Sequence, residues 1–265
     1  MVRRVTIVCD SRKFKPAAFN ASSPQLVYIE IHPIKCSQEL RGDWWRSRRY
    51  VLVMKWMGIL LLSVGTAFGA DARVAFREDF ENGVRPHWKK VEFEGETQYK
   101  IEKQGTNFVL RGTAEDAATG LAAKFDGLNP KGATLSWRWK IDKIPPGGSD
   151  DKKATFDHTA RLFVAFKTRI GPPRTINYVW ANTVPVGKTF NHPSSGRGRF
   201  IVLNSGNGGA GEWHTFKRNL SEDWKLLFGD DDPPEIVGLG FMTDSDGTKS
   251  TVTGWYDDIQ LITGK

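Results

Sequence analysis

Asp157 and His158 stand side by side, the one place in residues 73–265 where an imidazole base has an adjacent acid to orient it. Neighbouring residues of a strand point to opposite faces, so the pair serves as a base with its acid only off a strand. Arg161 follows on the parity of Asp157, and it interrupts an otherwise apolar run on the face of Phe163 and Ala165. A guanidinium in that position needs a partner: an internal carboxylate, or a sugar hydroxyl or carboxylate in a concave sheet. A polysaccharide-cleaving enzyme, lyase or glycosidase, would need converging carboxylates or a His-Tyr-Arg cluster, for which Asp157, His158, Arg161 and Tyr178 are the candidate catalytic set. His87, His192 and His214 are scattered, there is no H-E-x-x-H or G-x-S-x-G motif, and Gly206–Gly211 lacks the Lys-Ser/Thr ending of a phosphate loop.

Two groups of carboxylates suit a hard cation. Asp244 and Asp246 lie one residue apart on a turn with Gly247, an arrangement that serves equally as an Asp-Gly hairpin turn. In the last strand, Trp255, Asp257, Ile259 and Leu261 share a parity, which points the carboxylate of Asp257 into an apolar face. A buried charge requires an arginine, backbone donors or a metal. If the two chain ends pair, Glu78, Asp79 and Glu81 of the opening strand supply further oxygen ligands, and calcium is the metal such a set favours.

The elements that must position these residues are strands. Thr134–Ile141 alternates without exception: Leu135, Trp137, Trp139 and Ile141 on one face, Thr134, Ser136, Arg138 and Lys140 on the other. Tyr178 and Trp180 repeat the pattern with Ile176. These rings either pack the core or, with Arg161, line a groove in which sugar faces stack on Trp137, Trp139, Tyr178 and Trp180. Short strands with turn chemistry between them continue from Val74 to Ile262, one short helix opens at Ser221, and 185–199 reads as a loop unable to make a core. The spacing predicts an all-β, two-sheet sandwich of jelly-roll type with eleven or twelve strands.

The sandwich occupies residues 73–265. Ahead of it, Met54-Lys55, an uncharged apolar run from Trp56 to Gly69 and Ala70-Asp71-Ala72 have the three parts of a secretory signal peptide, and 1–53 reads as a non-globular, over-extended gene start. The apolar run is too short to span a bilayer, so no stable membrane span is expected after cleavage. Of 38 Lys and Arg, 11 lie in residues 1–72 with only 5 of the 30 Asp and Glu, which leaves the sandwich at +2 and removes the case for nucleic acid as a partner. Cys9 and Cys36 also precede it, which excludes thiol chemistry from the domain.

Asp157-His158-Thr159-Ala160-Arg161, Tyr178-Val179-Trp180, Ser205-Gly206, Trp213, Arg218-Asn219-Leu220, Met242-Thr243-Asp244-Ser245-Asp246 and Tyr256-Asp257-Asp258-Ile259 occur in an order that resembles the bacterial family catalogued as domain of unknown function 3047. The sequence departs from that family's pattern at His158, where a second acid is usual, and at Asp257-Asp258, where Gly-Asp is usual. Phe80-Glu81 near the start and Asp257-Asp258 near the end also resemble calcium-containing carbohydrate-binding jelly rolls. That likeness implies a structural calcium near the joined ends, with Glu81, Asp257 and Asp258 as ligands, and a glycan groove on the concave sheet. The expected function is an exported, periplasmic or secreted, non-catalytic domain that binds glycan or a cell-envelope polymer; the alternatives are the cleaving enzyme and an envelope protein-interaction domain with no sugar site.

Overall fold

A computed structural model describes residues 73–264; the expected gene start and signal peptide lie outside them. In chain order the strands are β1 (Arg73–Glu78), β2 (Lys89–Glu94), β3 (Gln98–Gln104), β4 (Asn107–Glu115), β5 (Ala118–Leu128), β6 (Thr134–Ile141) and β7 (Arg161–Phe166). They continue as β8 (Arg174–Ala181), β9 (Thr189–His192), β10 (Ser195–Ser205), β11 (His214–Asn219), β12 (Ile236–Asp244) and β13 (Thr251–Thr263), with one α-helix, α1 (Leu220–Phe228), between β11 and β12. The first sheet runs β11-β6-β13-β4-β3 with β1 also on β13, and the second runs β2-β5-β12-β7-β8-β10-β9. The described residues therefore form a two-sheet, jelly-roll-like β-sandwich of thirteen strands, one more than the upper expectation. No helix among them is long and apolar enough to cross a membrane.

The core lies between the sheets. β6 buries Leu135, Trp137, Trp139 and Ile141 completely, and β7 and β8 face it with Leu162, Val164, Phe166, Ile176, Tyr178 and Trp180. Burying a large apolar side chain contributes roughly 1.5–3 kcal/mol, so these rows dominate the sandwich. The indole of Trp139 donates to Asn204 Oδ1 at 2.8 Å and that of Trp180 to the Gly206 carbonyl at 2.7 Å, which ties both rings to the end of β10.

The extra strand corrects the expected loop at 185–199. β9 pairs antiparallel with β10, and the ring of Phe190 stacks on Phe200 with centroids 4.8 Å apart. That hairpin covers a second, smaller core of Phe156, Val179, Ala181, Phe200 and Val202 outside the second sheet. Single apolar residues among polar ones gave no period to find it by. At the other edge β2 is exposed at every position, with the Phe93 side chain 68% accessible.

α1 is capped by Asn219, not by Ser221: the Asn219 side chain accepts from the Ser221 and Glu222 amides, and Gly229 closes the helix in the left-handed conformation. In β13 the register against β6 slips between Asp257 and Gln260 through a bulge, where Asp258 adopts φ 51°. The extra residue reverses the alternation. Tyr256, Ile259 and Leu261 face the core, while Trp255 and Asp257 lie on the outer face with Arg138, Lys140 and Arg111 beside them.

Candidate functional site

The inward rows exclude several of the expected groove residues. Trp137, Trp139, Tyr178 and Trp180 have no solvent-accessible surface, so none offers a ring face to a sugar. Both indoles of β6 pack in the core, and the Tyr178 hydroxyl donates to Asp223 Oδ2 at 2.6 Å, in a cluster completed by the Arg218–Asp223 ion pair. Burial first, then the Asp223 carboxylate, push the Tyr178 phenol well above its ordinary range. It is a fixed donor.

Arg161 is on the other side of the same sheet. Its register partner is Met242, and its guanidinium donates to Asp244 Oδ2 at 3.1 Å. Asp244 Oδ1 accepts from the His158 amide at 3.0 Å, while the Asp157 carboxylate accepts from the Gly247 and Thr248 amides at 3.1 and 2.6 Å. Asp157 and Asp244 thus cross-brace the segment before β7 to the turn after β12. His158 is fully buried beside Phe156 and Phe200, and its Nε2 lies 3.1 Å from Asp150. The candidate catalytic set is therefore divided: Tyr178 points into the core, while Asp157, His158 and Arg161 lie near one another across the sheet, where His158 is fully buried against Asp150 and the other two are engaged by protein donors or acceptors.

Asp150, which no motif or period in the sequence marks, is the hub of this region. Its Oδ1 accepts from the Asn182 amide at 2.9 Å, and its Oδ2 from the Thr183 and Val184 amides at 2.8 and 2.9 Å. Burial would raise this carboxyl, but the His158 ring and the three amides outweigh it and hold Asp150 well below the usual carboxylate range.

Among the described residues, one group of carboxylates could coordinate a metal ion. Asp157, Asp244 and Asp246 each bring an oxygen within 4.8 Å of the others. Burial, then Asp157 and Asp244, push the Asp246 carboxyl above its ordinary value, so either a proton or a cation relieves the charge there. Three oxygen donors suit a hard ion, and each carboxylate oxygen retains a lone pair beyond the bonds described; the Arg161 guanidinium against Asp244 opposes the ion. The other expected metal set does not assemble. Glu81 accepts from the Phe108 amide at 2.9 Å, Glu78 accepts from the Phe80 amide and the Trp88 indole, and Asp257 and Asp258 both pair with Arg138. The wrong-way carboxylate of Asp257 is thus matched by an arginine on the outer face.

That outer face carries what the sequence did not reveal. Trp213, just before β11, and Trp255 of β13 are both half-buried. The Trp255 indole donates to Glu102 Oε1 at 3.1 Å and the Trp213 indole to Gln104 Oε1 at 3.3 Å, so two side chains of β3 hold both rings. Lys140 places its ammonium 4.5 Å from the Trp255 centroid and 5.3 Å from that of Trp213, with Arg138 over Trp213 at 4.7 Å. Beyond the bulge, Arg77, Ser136, Asp258, Ile259 and Gln260 line a shallow cleft of about 270 Å³. The signal for Trp255 was hidden by its parity with Ile259 and Leu261, which the bulge breaks.

Fold and surface together define a β-sandwich with its polar-aromatic side chains on one solvent-facing sheet. The chain belongs to the family described as protein of unknown function DUF3047, which it matches over residues 86–260. No curated protein matches it. Among solved structures, the family 11 carbohydrate-binding module of the Clostridium thermocellum cellulase Lic26A-Cel5E is similar at 13% identity and a TM-score of 0.39, covering 74% of this chain and 96% of that one. The xyloglucanase domain of NopAA from Sinorhizobium fredii is similar at 12% identity and 0.40, covering 73% and 98%. The cellulose-induced protein Cip1 is similar at 13% and 0.41, covering 70% and 96%.

Proposed function

We propose that this chain is an exported, non-catalytic domain that binds glycan or a cell-envelope polymer on the outer face of its first sheet, with Trp213 and Trp255 as the stacking platform. The observation that carries the reading is the pair of half-buried indoles whose N–H groups are already bonded to Gln104 and Glu102. Rings fixed before binding lose little rotamer freedom when a ligand arrives, and their apolar faces suit the C–H faces of sugars. Polar side chains around them, Arg138, Lys140, Arg111 and Gln104, supply hydrogen bonds to hydroxyls.

Binding is favoured over cleavage because the acid, base and tyrosine nominated for cleavage do not converge. Export rests on the signal-peptide pattern at 54–72. Calcium is the ion that the trio of Asp157, Asp244 and Asp246 would take, in a structural role that braces the segment before β7 to the turn after β12.

Native electrophoresis of the protein through gels cast with soluble polysaccharides tests the reading, with each gel stained for protein and for cleared polymer. Retardation without clearing is expected, and Trp213→Ala and Trp255→Ala variants that remain folded should each migrate freely. Clearing would establish an enzyme, and retardation unaffected by either substitution would move the site off this face.

A further inference from the structure

Of the three cations named beside the two indoles, Arg138, Arg111 and Lys140, all but one are matched by a carboxylate. Arg138 pairs with Asp257 and with Asp258, and Arg111 lies 3.6 Å from Glu102. Lys140 is the exception: its ammonium donates to the neutral amide oxygen of Gln104 at 3.1 Å, and among the described residues no carboxylate lies within 4 Å of it. Glu102, the nearest acid by its electrostatic effect, is committed to Gln104 Nε2 at 2.7 Å, to the Trp255 indole and to Arg111. Half-buried between two indoles, this cation is partly stripped of water, and an anion arriving there meets an electrostatic interaction stronger than at an open surface.

We infer that the polymer bound on this face is acidic, a polysaccharide with uronic acid units, whose carboxylate docks on Lys140 while a sugar ring lies against Trp213 and Trp255. The inference rests on the platform reading above and adds the ligand's charge to it. Gln104 holds the ammonium without neutralising it, which leaves donors of Lys140 for the ligand.

The test is a titration of the full-length protein, read by tryptophan fluorescence and calorimetry, with polygalacturonate, alginate and hyaluronan, each against its methyl ester, and with dextran and dextran sulfate. At least one carboxylate polymer should bind about tenfold more tightly than its ester, with affinity that falls as salt rises. Lys140→Gln should bring acid and ester to the same affinity, and Lys140→Arg should retain most of the preference for the acid. Lys124→Gln, an equal charge change at an exposed position on the second sheet, should alter nothing. Equal binding of acid and ester, or of dextran alone, would overturn the acidic assignment and leave the platform standing. Tighter binding of dextran sulfate than of every uronate would overturn the carboxylate. Binding of none of these polymers would overturn both.

Discussion

Replacing Asp150 by asparagine isolates a carboxylate clamp whose worth can be worked from its contacts. Asp150 accepts from three backbone amides at 2.8–2.9 Å and faces the His158 ring at 3.1 Å, and its side chain is almost wholly buried. Asparagine keeps the shape and one acceptor oxygen. Its NH₂ group, however, must face either the Asn182 amide and His158 or the Thr183 and Val184 amides, leaving one or two donors unsatisfied. An unsatisfied buried donor costs about 1–3 kcal/mol, so the substitution should destabilise the domain by about 3 kcal/mol at pH 7. For a domain of this size that lowers Tm by about 6–12 °C. The pH dependence supplies the sharper check. A carboxyl depressed in the folded state contributes stability that is fully present above its unfolded pKa of about 3.9 and is lost as pH falls toward its folded value. The gap between wild type and Asp150→Asn, measured by urea unfolding with unchanged m-values, should therefore be constant from pH 7 to about 5 and shrink below pH 4. A variant that melts with the wild type at pH 7, or a gap that holds its size down to pH 3, would refute the clamp.

Three further outcomes follow from the structure. A Cβ at Gly254, near the start of β13, would lie 2.5 Å from the Thr159 carbonyl oxygen and 2.8 Å from Thr243 Oγ1, so Gly254→Ala should cost about 3 kcal/mol in denaturant unfolding; a loss below about 1 kcal/mol would mean the strands part easily there. Asp246→Asn should raise stability at pH 7 in metal-free buffer, because a carboxyl raised by burial and by its acidic neighbours penalises the folded state above its pKa, and the gain should vanish as pH falls into the acid range. Millimolar calcium should raise the Tm of the wild type and not of that variant; an equal response in both would place the ion elsewhere.

Much of the sandwich was legible because its strands obey one period. Thr134–Ile141 alternates in sequence and in burial alike, and Ile176, Tyr178 and Trp180 take the inward positions their parity assigned. The same regularity misled at β13, where one extra residue at Asp257-Asp258 turns Trp255 outward although its parity matches Ile259 and Leu261. No composition rule marks that bulge, because aspartate tolerates positive φ without requiring it. β9 escaped notice because its contribution is a single ring, Phe190, whose partner Phe200 comes ten residues later. The neighbourhood of Asp157, Arg161, Asp244 and Asp246 was named from the sequence as separate candidates, and it is brought together by the pairing of β7 with β12, a contact between segments some eighty residues apart. No local pattern in either segment announces that pairing. Trp137, Trp139, Tyr178 and Trp180 had two open readings, and burial decided between them: rings large enough to floor a groove are also the ones a sandwich most needs inside.

The exposed edge at β2 sets a condition on how this protein survives at high concentration. Its sequence, Lys89-Lys90-Val91-Glu92-Phe93-Glu94, presents a row of backbone groups unpaired among the described residues and an accessible phenyl ring, a template on which another chain could add a strand. Four charges in six residues and a register slip between Glu92 and Glu94 oppose that addition, since an incoming strand would have to desolvate both signs of charge and follow a kinked edge. The protection against aggregation is therefore local and electrostatic, and it weakens as salt screens the lysines and glutamates. Resistance of the folded domain to self-association is thus set at this margin, whereas its melting is set by the core between the sheets.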